Sequence, residues 1–227
     1  MSPHARVPLA RVPLVLASAS PARLATLRAA GVSPVVRVSS VDEDAELAAA
    51  LERAADLTPA DVALLLARAK AEDVTAALEA AGEPGRLVLG CDSVLELAGE
   101  RHRKPRTRTQ AVRRWKRMRG QTGVLHTGHW LVDDRGADEG GTAGAVGATA
   151  STTVHFAELD DEEVEAYVAT GEPLRVAGGF TLDGLGGAFV RAIEGDPGTV
   201  VGLSLPLLRE LLGDVGVRWF DIVAPPG

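Results

Sequence analysis

The segment Arg86–Leu97, RLVLGCDSVLEL, restricts what this chain can fold into more than any other. It is the most strand-like run in the sequence, aliphatic almost throughout, and it reads as a core strand. Asp92 stands in its middle. An ionised carboxylate among such neighbours is costly unless it is paired or holds a cation. The alternative is a turn aspartate at a strand end, and on this residue alone both readings stand.

The segments around it alternate between strand and helix. VPLVLAS, from Val12, suits a buried parallel strand. It runs into SPARLATLRAAG, where Ser20 is placed as a helix cap, Pro21 at the first helical position and Gly31 at the exit. PVVRVSSV is a second strand candidate, followed by the acidic turn DEDAE. Thr58, Pro59 and Asp61 open a long helix that runs to about Ala81. A further helix spans Thr109–Met118 and stops at Gly120. GVLHTGHWLVDD and ATASTTVHFAEL read as two strands joined by a long hairpin loop, RGADEGGTAGAVG. Asp160 with Glu163 caps a short helix ending at Gly171. GGFTLDGLGGAFVRAIEG is strand and turn, and LSLPLLRELLGDVG is the final helix. The class is mixed α/β in a single unit over 1–227, with residues 1–11 a loose start.

Those first residues also resemble a secretory leader, since the basic Arg6 and Arg11 lead into apolar residues ending in ASASPA. Pro8 and Pro13 interrupt the run and Arg11 falls inside it, which a leader does not tolerate. The one cysteine, Cys91, cannot form an internal disulfide, and no apolar run reaches the ~20 residues of a membrane span. A cytoplasmic protein is expected. The net charge of -7 disfavours general nucleic-acid affinity.

Three further residues are out of place for purely structural roles. Lys70 interrupts the helical stripe Val62, Leu66, Val74; it either snorkels to the surface or points into a cleft as a phosphate ligand. Glu43 sits between Asp42 and Asp44, a solvated acidic loop or one carboxylate of a Mg²⁺ site. Residues 101–119 carry ten Lys and Arg, with Lys104 held before Pro105, and suit a polyanionic partner. No Gly-x-x-x-x-Gly-Lys-Ser/Thr loop and no Gly-x-Gly-x-x-Gly fingerprint occurs. Ser18 and Ser20 lack the Gly-x-Ser-x-Gly frame, and His126, His129 and His155 lack zinc-ligand spacing.

Nine blocks in one order carry a resemblance. LASASPARLATLRAAG, VDED, ARAKAE, LGCDSVLELAGE, the Lys104–Pro105 pair, RGQTGVLHTGHWLV, VEAYVATGEPL, GLGGAFVRAIEGD and VVGLSLPLLREL together resemble the Maf family of nucleotide pyrophosphatases, from about Leu14 to Leu212. The resemblance implies an elongated α/β sheet with a cleft between two lobes, similar to inosine triphosphatases. It implies hydrolysis of nucleoside triphosphates to monophosphates and pyrophosphate, with Mg²⁺ or Mn²⁺, by a cytoplasmic homodimer that clears non-standard nucleotides. It makes Asp92 the general base, Glu43 and Asp92 the metal carboxylates, and Lys70 and Lys104 the charges on the β and γ phosphates. Ser18, Ser20 and Arg23 then meet phosphate at a helix N-terminus, Arg23 in bidentate fashion. The departures fall where relatives select the base: Ala22 replaces an arginine, Ser93 a threonine and Asp183 a glutamine, while Arg175 and Val176 replace an Asp-Lys pair. The rival expectation is a regulatory binder of nucleotides or nucleic acid acting through residues 101–119, for which aromatic stacking platforms are scarce.

Overall fold

A computed structural model describes residues 12–223; the expected loose start over residues 1–11 lies outside them. Seven strands form one mixed sheet: β1 Leu14–Leu16, β2 Val35–Val36, β3 Leu87–Leu97, β4 Glu100–His102, β5 Thr122–Asp133, β6 Gly144–Phe156 and β7 Val190–Glu194. Their spatial order is β2-β1-β3-β5-β6-β7, with β4 paired to β3. Eight helices are described: α1 Pro21–Ala29, α2 Glu43–Arg53, α3 Pro59–Ala80, α4 Arg108–Met118, α5 Asp161–Ala169, α6 Pro197–Val201, α7 Leu205–Asp214 and α8 Trp219–Ile222. The expected α/β class and elongated mixed sheet are what the chain adopts.

The central strand β3 does what its sequence demands. Ten of its eleven residues are buried, since β5 covers one edge from Leu87 to Glu96. The other edge is shared. β1 runs parallel to Leu87–Leu89, and β4 runs antiparallel to Leu95–Leu97. Between these two partners, Gly90–Val94 present an edge that no strand covers, and Asp92 is at its centre. The break separates the lobes.

In the first lobe, α1, α7 and α8 close one face of the sheet over Leu16, Leu27, Leu89, Leu131, Leu203 and Leu208, an almost wholly aliphatic core. The second lobe gathers aromatics. Trp115 makes edge-on contacts with Phe156, Tyr167 and Phe189 at centroid separations of 5.8, 5.2 and 5.9 Å, and its indole N–H donates to the Gly179 carbonyl at 2.8 Å. The two lobes therefore differ in core chemistry, aliphatic in the first and aromatic-rich in the second.

Helix α3 lies on the opposite sheet face. Its capping box joins Thr58 and Asp61 as read from the sequence. Gly90 and Gly128 let it approach: a Cβ on Gly90 would stand 2.1 Å from the Ala67 carbonyl oxygen, and one on Gly128 2.3 Å from that of Ala63. Any larger residue at either place would push the helix off the sheet.

Three local expectations are corrected. The acidic stretch after β2 is the first turn of α2, because the Asp42 carboxylate accepts from the Asp44 and Ala45 backbone amides at 3.0 and 3.1 Å and caps a helix. The hairpin loop is shorter than expected, since Gly144–Gly147 belong to β6; Gly147 packs under Trp130, where a Cβ would come within 2.2 Å of the ring. Helix α6, capped by Asp196, precedes α7, and α8 follows it, so α7 is not the last helix.

Candidate active site

The cleft of about 840 Å³ at the open edge of β3 is lined by Ser18, Ser20, Ala22, Arg23, Glu43, Lys70, Asp92, Ser93, Lys104 and Asp183. Every site residue read from the sequence thus faces one space, although they come from six separate parts of the chain.

At its centre, Lys70 Nζ on α3 donates to Asp92 Oδ1 and to Glu43 Oε1, each at 2.6 Å. The lysine side chain retains 13% exposure and that of Asp92 10%, so neither charge escapes to bulk water. The break in the apolar stripe of α3 is therefore an ion pair, and snorkelling is excluded by this contact. The second oxygen, Asp92 Oδ2, is buried without a hydrogen-bond partner. Such an atom is expensive unless something not yet bound uses it.

Glu43 stands at the first position of α2, where the helix dipole favours an anion. Burial alone would raise its pKa, but Lys70, Arg103 and Arg23 outweigh that and hold it below the usual carboxylate value. Its Oε2 accepts from Arg103 Nη2. A divalent cation fits here. Among the described residues no group of three or more His, Cys, Asp or Glu is placed to hold a metal ion; Glu43 and Asp92 are the two carboxylates joined through Lys70. These two would be the residues to hold a Mg²⁺ or Mn²⁺ ion, which is commonly bound through one or two carboxylates.

Arg23 departs from its expected geometry. The side chain is buried at 8% exposure. Nε donates to the Gly202 carbonyl at 2.8 Å, Nη1 to the Cys91 carbonyl at 2.7 Å and to Ser18 Oγ at 3.1 Å, and Nη2 to Ser93 Oγ at 3.2 Å. Four of its five N–H groups are thus engaged within the chain. A bidentate phosphate grip would need one of these bonds to be exchanged. As it stands, the guanidinium serves β3 as a missing strand would, satisfying the Cys91 carbonyl on the open edge.

The hydroxyls form an ordered relay. Thr127 Oγ1 donates to the Thr199 carbonyl at 2.8 Å, so Ser93 Oγ is the donor in its 2.9 Å contact with Thr127 while accepting from Arg23. Ser93 is therefore spent on holding Arg23. Ser18 Oγ accepts from Arg23 and from the Ser20 amide at 3.2 Å, which leaves its proton for the cleft. Ser20 caps α1 by accepting from the Arg23 amide at 3.4 Å. Ala22 sits in the first turn of that helix. Lys104 and Asp183 are exposed on the cleft wall contributed by the second lobe, as is Arg175.

Cys91 is a core residue; burial pushes its thiol up to about 11. His129 is structural too, its Nε2 accepting from the Ser204 amide at 2.9 Å. Much of the basic tract is consumed internally: Arg106 pairs with Asp44, Lys116 and Arg119 with Asp161, and Arg117 with Glu100. Arg103 is the cleft residue that sequence reasoning passed over. Its adjacency to Lys104 and Pro105 was the available signal.

The family described as "Maf-like protein" matches residues 13–215. A protein of Leifsonia xyli subsp. xyli, named nucleoside triphosphate pyrophosphatase, is 53% identical over 92% of this chain and 95% of its own length. Proteins of the same name from Salinispora tropica and Streptomyces coelicolor are 57% and 51% identical, covering 90% and 96% of this chain and 84% and 98% of their own. With that match along nearly its whole length, and with the site assembled at the break in β3, the chain belongs to the Maf-like family.

Proposed function

We propose that this protein hydrolyses nucleoside triphosphates to nucleoside monophosphates and pyrophosphate. The observation that carries the reading is the buried, unpartnered Asp92 Oδ2 beside an ammonium and a second carboxylate. Phosphoryl chemistry needs charge neutralisation and positioning more than covalent participation. Lys70 and Lys104 supply compact positive charge, and the N-terminus of α1 adds dipole and backbone donors. Glu43 and Asp92 would hold a divalent cation, which, when bound, neutralises phosphate oxygens and acidifies a coordinated water. Lys70 fixes Oδ1 of Asp92, and this leaves Oδ2 to take the proton of the attacking water. The water oxygen joins the α phosphorus, the bond from it to the bridging oxygen breaks, and pyrophosphate carries away the electron pair.

Family membership supports the remainder of the reading: a Mg²⁺ or Mn²⁺ requirement, a homodimer, a cytoplasmic location and clearance of non-standard nucleotides. No helix among the described residues is long and apolar enough to cross a membrane. The nucleic-acid alternative is weakened, because five of the ten basic residues of the tract it needs, Arg103, Arg106, Lys116, Arg117 and Arg119, are paired with acids of the same chain. Base choice falls to the exposed end of the cleft, at Asp183 and Arg175, since Ser93 is engaged with Arg23.

The test is a panel of common and modified nucleoside triphosphates with Mg²⁺ in ¹⁸O-water, with products resolved by chromatography. Monophosphate carrying the label and unlabelled pyrophosphate are expected. Diphosphate plus orthophosphate would overturn the reading. Asp92→Asn should remain folded while kcat falls by about 10²–10⁴, the usual contribution of a general base.

A further inference from the structure

Arg103 occupies a position that the reaction as described does not explain. Its Nη2 donates to Glu43 Oε2 and its Nη1 to Asp44 Oδ1 at 3.0 Å. Glu43 Oε1 is meanwhile held by Lys70 at 2.6 Å. Both oxygens of the carboxylate assigned to the metal are thus taken by cationic donors. The guanidinium also stands where the reaction cleft meets a second cleft of about 970 Å³, Val41, Glu43, Arg103 and Lys104 lining both. Its backbone is held in place, because the Arg103 carbonyl accepts from Nη1 of the buried Arg114.

We propose that Arg103 has two partners in succession: it holds Glu43 while the cleft lacks metal and substrate, and it passes to the polyphosphate when Glu43 takes the cation. This rests on the reading of Glu43 as a metal carboxylate given above. A divalent cation beside a guanidinium and an ammonium is repelled by both, so Arg103 competes with metal for Glu43. A triphosphate offers the displaced guanidinium paired anionic oxygens that match its fork. The exchange strands no carboxylate. Glu43 passes to the cation, and Asp44 keeps its second partner, Arg106. Metal without substrate is therefore disfavoured, and metal with triphosphate is admitted as a unit.

The test uses Arg103→Gln and Arg103→Lys in the full chain. Mn²⁺ binding to each protein without nucleotide is measured by the spin-resonance signal of free Mn²⁺, and steady-state kinetics then use a triphosphate with Mg²⁺. For Arg103→Gln we expect Mn²⁺ alone to bind roughly tenfold more tightly and KM to rise roughly tenfold, the effect of one charge-assisted hydrogen bond, with KM changing more than kcat. Arg103→Lys should fall between it and the unaltered protein in both measurements. A residue that merely positions Glu43 gives the opposite first sign, weaker Mn²⁺ binding on removal, and that result overturns the exchange. Unchanged KM in Arg103→Gln overturns it as well, while the pyrophosphatase reading stands. If Glu43→Gln leaves Mn²⁺ binding unaltered, the assignment of Glu43 to the metal falls first, and the exchange with it.

Discussion

Lys70 and Asp92, twenty-two residues apart in the chain, meet at 2.6 Å beside the open edge of the central strand. The lysine holds Asp92 and Glu43 together, so its charge serves these two carboxylates as well as any phosphate. Lys70→Met leaves two carboxylates facing one another across a poorly hydrated space. We expect a loss of stability of about 3 kcal/mol, as for other partly dry pairs deprived of one member. It is measured by urea unfolding. Mg²⁺ should restore part of that loss in Lys70→Met, because it supplies the missing positive charge, and a variant indifferent to Mg²⁺ would speak against the two-carboxylate site.

Arg23 ties Ser18, Cys91, Ser93 and Gly202 through four separate bonds. A lysine keeps the charge but has no fork to span those acceptors. Arg23→Lys should therefore lose about 2 kcal/mol of stability, with buried carbonyls left unsatisfied. Activity should fall with it even at saturating substrate. If Arg23→Lys unfolds at the same urea concentration as the unaltered protein, the structural role assigned to this side chain is wrong.

Gly90 tests how the site depends on helix approach. Its missing side chain lets the Ala67 carbonyl lie against β3. Gly90→Ala forces α3 outward and should cost about 2 kcal/mol, the usual scale of overpacking. Since Lys70 rides on that helix, kcat should drop although Gly90 does not line the cleft. Retained kcat in a folded Gly90→Ala protein would show that the Lys70–Asp92 contact tolerates displacement.

His129 makes stability depend on pH. Burial lowers its pKa to about 4, and its Nε2 accepts from an amide that a protonated ring could not face. The unfolded chain binds this proton near pH 6.5 and the folded one does not. Stability from this residue is therefore complete above about pH 6.5 and is lost as pH falls toward 4. The loss over that window should be on the order of 3 kcal/mol. His129→Gln should flatten the slope of unfolding free energy between these pH values, and an unchanged slope would remove His129 as its cause.

Much of this molecule was legible locally. The caps at Ser20, Thr58 and Asp160 depend on spacings of three residues, and the burial of β3 on its aliphatic run, both of which are written in neighbouring residues. Asp92 and Lys70 were conspicuous for the same reason, because each is a charge that breaks an apolar pattern. The first turn of α2 was misread as a loop because clustered acids favour a capped helix start and a solvated turn alike. α6 and α8 were missed because they have too few residues for periodicity to register.

Chemically anomalous residues stand out along the chain without any fold, and the ordered blocks name their family. What those residues do to one another follows from the folded arrangement alone. β1 leaves β3 at Leu89 and β4 does not join it until Leu95, and that gap, produced by strand pairing far apart in the chain, gathers the charges into one cleft. It set Arg23, expected as a phosphate clamp, into four bonds within the chain, one of them to the open edge of β3. It also set Arg103, one member of a basic tract, against Glu43. Hydrogen-bond capacity is finite, and which partner uses it depends on distance in space, which spacing along a chain does not encode.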